Sequence, residues 1–138
     1  MQNLLKDGYV NDGFIYCIDP YININGKKIV KIGKIAMKIN DTYDSVLKRL
    51  SSRYNTYYPN KEIIYFERVN NCHKAERYLF SLIDSLKYKR ELFYYDNIKI
   101  KCAFNKMNKI YPDMKLIIKK LSVKTLTKIN IELRENKN

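Results

Sequence analysis

Histidine is almost absent from this 138-residue chain, with His73 standing alone. A metal site built on two histidines is thereby excluded, and a Ser/His/Asp triad would have one starting point with no G-x-S-x-G beside it. Cysteine is scarce too. Cys17, Cys72 and Cys102 are odd in number and lack C-x-x-C spacing, so they indicate neither a disulfide framework nor a zinc finger, and packing thiols are expected. No Walker A or G-x-G-x-x-G loop is present, which argues against a nucleotide cofactor. No apolar run approaches about 18 residues, and the opening MQNLLKDGYVNDG lacks a signal peptide's basic-then-apolar layout. A soluble, intracellular protein with no membrane partner is expected.

Acid is the other shortage. Fourteen Asp+Glu face 27 Lys+Arg, for a net charge of +13, and such an excess points to a polyanionic partner, DNA being the usual one. An A/T-rich genome would produce the same bias, because Lys (21), Ile (18), Asn (15) and Tyr (13) all take A/T-rich codons. Clustering therefore matters more than the total. Residues 104–138 carry nine basic and three acidic side chains, net +6.

What is present reads as a mixed α/β domain. GFIYCID, residues 13–19, predicts a strand with Phe14, Tyr16 and Ile18 on one face and Ile15 and Cys17 on the other. Asn25-Gly26 between two β-rich runs predicts a tight type I′ hairpin leading into KKIVKIGKI. Residues 41–55 predict a helix capped by Asp41 or Asp44, with Tyr43, Val46, Leu47, Leu50 and Tyr54 on one side. KEIIYFERV, 61–69, predicts a third strand. Asn71 then caps a helix whose Ala75, Leu79, Leu82, Ile83 and Leu86 share a face. RELFYYD and a short NIKIKCAF segment follow, then helical patterning over 104–121 on either side of Pro112. The expected fold is α/β (α+β), a small antiparallel three-stranded sheet flanked by helices over residues 1–103, with a basic helical extension over 104–138.

Gly13-Phe14-Ile15-Tyr16, Lys31-Ile32-Gly33, Arg49 on the first helix, Glu76 on the second and Arg90-Glu91-Leu92-Phe93 after it stand in an order that resembles the GIY-YIG nuclease superfamily. The lysine of the second motif and the RELF segment are similar to a branch of DNA-binding domains of phages and large DNA viruses. The likeness covers about residues 9–97. It implies a metal-dependent DNA endonuclease. Tyr16 would orient or deprotonate water, Lys31 would stabilise phenolate, Arg49 would hold the transition-state phosphate, and Glu76 would carry one Mg2+ or Mn2+ ion. Gly33 on the second strand would let a phosphate or a neighbouring side chain come close to the backbone, with Lys34 and Arg53 as further DNA contacts. Gly13, Arg90, Glu91 and Phe93 would belong to the structural motif. Phe80 stands where this branch usually has histidine, four residues past Glu76. The alternative is an inactive DNA-binding module of the same fold. In the tail, Met114, Ile117, Ile118 and Leu121 give an apolar side opposite Lys115, Lys119 and Lys120. That pattern suits a DNA contact through Lys119 and Lys120, a cap on the sheet, or both.

Overall fold

The computed structural model describes residues 9–114. Lys119, Lys120 and the rest of the expected tail helix lie outside the described residues. The strands are β1 (Tyr9–Asp19), β2 (Asn23–Ile24), β3 (Lys27–Lys38), β4 (Glu62–Val69), β5 (Lys87–Lys89) and β6 (Leu92–Tyr94). The helices are α1 (Tyr43–Arg53), α2 (Cys72–Leu82) and α3 (Asn97–Ile110). The sheet is antiparallel, ordered β4-β1-β3-β6-β5, with β2 paired to the start of β3. It thus has six strands where three were expected. The additional ones are two or three residues long, too short to give an alternation in sequence.

β1 occupies the middle because both of its faces are apolar. Ile15 and Cys17 pack with Val30, Ile32, Cys72, Ala75 and Leu79 on one side. Phe14, Tyr16 and Ile18 pack with Ile35, Met37, Val46 and Leu50 on the other. The sheet is therefore the middle layer, with α1 on one face and α2 and α3 on the opposite face. Burying a side chain such as Leu50 or Leu79 contributes about 1.5–3 kcal/mol each.

Local chemistry sets the joints. Asn25 and Gly26 have φ of 56° and 72°, the left-handed pair that a type I′ turn needs. α1 is capped by Thr42, not by Asp41 or Asp44. The Thr42 hydroxyl accepts from the Ser45 N–H at 3.1 Å and the Ser45 hydroxyl accepts from the Thr42 N–H at 2.8 Å. Asp41 instead accepts from the Lys38 N–H and the Ser45 hydroxyl, tying the end of β3 to the helix start. α2 is capped by Asn71 as expected, its carboxamide oxygen accepting from the Lys74 N–H at 3.2 Å.

NIKIKCAF is not a short separate segment. Asp96 caps a 14-residue helix there, and Ile100, Ala103, Phe104 and Met107 enter the core under α2. α3 runs straight through the division expected between residues 103 and 104, because the buried stripe at a spacing of three and four continues across it. No helix among the described residues is long and apolar enough to cross a membrane.

Candidate functional site

The glycine in the lysine-rich strand β3 has a specific neighbour. Tyr16 and Gly33 are directly paired across β1 and β3, and the Tyr16 ring lies down over the glycine. A Cβ at residue 33 would sit 2.5 Å from Tyr16 Oη and 2.8 Å from its Cζ. The close approach anticipated at this glycine is thus made by a phenol. Gly13 plays the same part on the other face, where an added Cβ would meet Cys72 Sγ and the Ile35 carbonyl oxygen, both at 2.7 Å.

The Tyr16 hydroxyl is enclosed. The residue is 1% exposed, and its Oη is 2.7 Å from Tyr54 Oη, either of which can donate. Burial, the Tyr54 hydrogen bond and the nearby Tyr54 and Glu91 charges push the phenol far above its ordinary range, against a smaller lowering from Arg53. A phenolate at neutral pH is thereby disfavoured. Lys31, expected to stabilise it, is occupied elsewhere. Its Nζ donates to Glu91 Oε2 at 2.8 Å and stands 5.5 Å from the centre of the Tyr54 ring. Burial alone would lower Lys31, yet the Glu91 bond and the surrounding tyrosines outweigh it and raise the ammonium's pKa.

Strand alternation divides the remaining residues. Lys31 and Gly33 share the α1 face with Tyr16, whereas Lys34 points to the other face, where Nζ donates to Glu76 Oε1 at 3.0 Å. Glu76 is buried beneath the sheet at 9% exposure, more deeply than a stripe border suggests. The structure brings Tyr16, Gly33, Lys31 and Glu91 together and places Lys34 and Glu76 across the sheet from them. Arg49 faces the α1 side but is engaged, Nη1 with Asp41 at 3.0 Å and Nη2 donating to the Ala36 carbonyl at 2.7 Å. Arg53, one turn on, is exposed. Phe93 pairs with Val30 and fills the core.

A divalent ion serving Tyr16 does not fit these residues. Glu76 Oε2 is a buried oxygen without a hydrogen-bond partner, the kind a cation could take, but its sister oxygen is held by an ammonium and the sheet separates both from Tyr16. Among the described residues no three His, Cys, Asp or Glu side chains converge. The Cys17 and Cys72 thiols are buried, and burial pushes them up to about 12 and about 11, so both are inert packing groups.

An open cleft of about 540 Å³ adjoins this site, lined by Lys31, Tyr58, Lys89, Arg90, Glu91 and Leu92. Tyr54, Tyr58 and Lys89 were not singled out as site residues from the sequence. Tyr54 was legible as the last position of the α1 apolar stripe, but its hydroxyl acts where its ring was expected to. No protein-family model matches this chain, and no curated protein or solved structure matches it either.

Proposed function

We propose that the chain is a DNA-binding domain of GIY-YIG-like architecture that holds nucleic acid without cutting it. The observation that carries this reading is the sheet standing between Tyr16 and Glu76, which divides the expected hydrolytic set and leaves a cation-lined cleft on the Tyr16 side. Hydrolysis needs a base, a metal and a phosphate-binding cation around one phosphorus atom. Here the phenol is locked to Tyr54, Glu76 faces the opposite layer, and Arg49 is bound to Asp41 and a carbonyl. Binding asks less. A net charge of +13 and a cleft carrying Lys31, Lys89 and Arg90 against Glu91 supply the phosphate attraction that dominates affinity.

Metal-dependent endonuclease activity is the second reading, favoured by one observation, the unpartnered Oε2 of Glu76. One experiment separates the two. Purified protein is incubated with supercoiled plasmid and magnesium or manganese, with an EDTA control, while affinity for labelled DNA is followed against salt. Salt-sensitive binding without nicking supports the binding module. Nicking abolished by EDTA and by Glu76→Gln establishes the nuclease, and the absence of binding at low salt removes both.

A further inference from the structure

The end of the sheet formed by β6 and β5 is not covered by α1, which packs over Phe14, Tyr16, Ile18, Ile35 and Met37. On this open end Tyr88 is 41% exposed and meets Tyr94 edge-on, ring centres 5.6 Å apart at 77°. Lys27 Nζ lies 5.6 Å from the centre of the Tyr94 ring, and Asn25 Nδ2 donates to Tyr94 Oη at 3.1 Å, so Tyr94 is held and Tyr88 is presented. Beside them lies the cleft of Lys31, Lys89 and Arg90. Lys31 is neutralised by Glu91. Lys89 and Arg90 are exposed and make no hydrogen bond or ion pair among the described residues. Arg90 has φ of 54°, fixing the β5–β6 turn so that both cations stand at the cleft mouth.

We propose that this open end binds a single-stranded nucleic-acid segment, with a base stacked on Tyr88 and the adjoining phosphate held by Lys89 and Arg90. The proposal rests on the DNA-binding reading and names its substrate class. In a duplex both faces of each base are already stacked, so an offered ring recovers nothing, whereas an unpaired base gains a stacking partner of any sequence. Aromatic rings alternating with cations along one track are the arrangement that such strands use.

The test is fluorescence anisotropy with a labelled oligothymidylate and a duplex of equal length, each from 50 to 200 mM salt (roughly the range over which phosphate contacts are resolved). The proteins are the full chain, Tyr88→Ala, Tyr88→Phe and Lys89→Ala with Arg90→Asn, asparagine tolerating the left-handed backbone. The single strand is expected to bind more tightly than the duplex. Tyr88→Ala should weaken it about 5- to 150-fold with little change in salt slope, and Tyr88→Phe should retain it. The double variant should shallow the slope by about 1.4, for two lost phosphate contacts. Preference for the duplex, or an unchanged affinity in Tyr88→Ala whose circular dichroism matches the parent, overturns the platform while DNA binding stands. Binding to neither DNA overturns the DNA-binding reading as well.

Discussion

Tyr16 lies flat over Gly33, its directly paired residue on the neighbouring strand, and its hydroxyl fills the space where a Cβ would be, 2.5 Å away. Gly33→Ala should therefore destabilise the fold by about 1–3 kcal/mol through overpacking. Combining it with Tyr16→Phe removes the closest atom, so the double variant should lose less than the two single losses added together. Urea unfolding of all four proteins measures this, and strict additivity would mean that the ring does not sit on the glycine.

The Tyr16–Tyr54 bond makes an alkaline prediction. In the folded state Tyr16 ionises well above its ordinary value near 10. The unfolded chain then releases that proton first, and stability falls as pH rises past about 10. Ultraviolet titration should show Tyr16 ionising only with unfolding. Tyr54→Phe leaves the buried hydroxyl without its partner and should cost about 1–3 kcal/mol.

Asp41 makes the opposite prediction in acid. Burial alone would raise its pKa, but the Lys38 N–H, the Ser45 hydroxyl and Arg49 together hold it below the usual carboxylate range. A depressed folded value means stabilisation that is complete above the unfolded pKa near 4 and is lost as pH falls through the folded one. Asp41→Asn should lower stability at neutral pH and flatten the acid limb of the curve. An unchanged limb would assign the acid sensitivity to other carboxylates.

Glu76→Gln keeps the shape and an acceptor for Lys34, which is partly exposed and can hydrate. Stability should change by less than about 1 kcal/mol, and DNA affinity should match the parent. Magnesium should raise the melting temperature of neither protein. A magnesium shift seen in the parent and lost in the variant would return Glu76 to the role of metal ligand.

Long patterns were legible in the sequence. The two-faced strand around Phe14–Ile18, the Asn25-Gly26 turn and the Asn71-capped helix all stand where periodicity and capping chemistry put them. What escaped was short or cooperative. β5 and β6 are three residues each, and Thr42 displaced Asp41 as cap because Ser45 three positions on completes a reciprocal box. For the site, Tyr16, Gly33 and Lys31 are close together, as their spacing on paired strands requires. The separation of Glu76 was harder to read. A residue's position on α2 fixes which way it faces, but only the packing of Cys72, Ala75 and Leu79 says which side of the sheet that helix covers.

The central place of β1 has a kinetic consequence. Its hydrogen-bonding neighbours, β3 and β4, and the helix that seals its far face all come later in the chain, the last of them contributing Phe104 and Met107. A chain emerging from the ribosome holds its most apolar strand without a complete set of partners until about a hundred residues have followed. Such long-range closure places folding in the slower, millisecond-to-second regime of sheet proteins. A fragment ending at residue 103 would keep every strand and still lack the two side chains that finish the core.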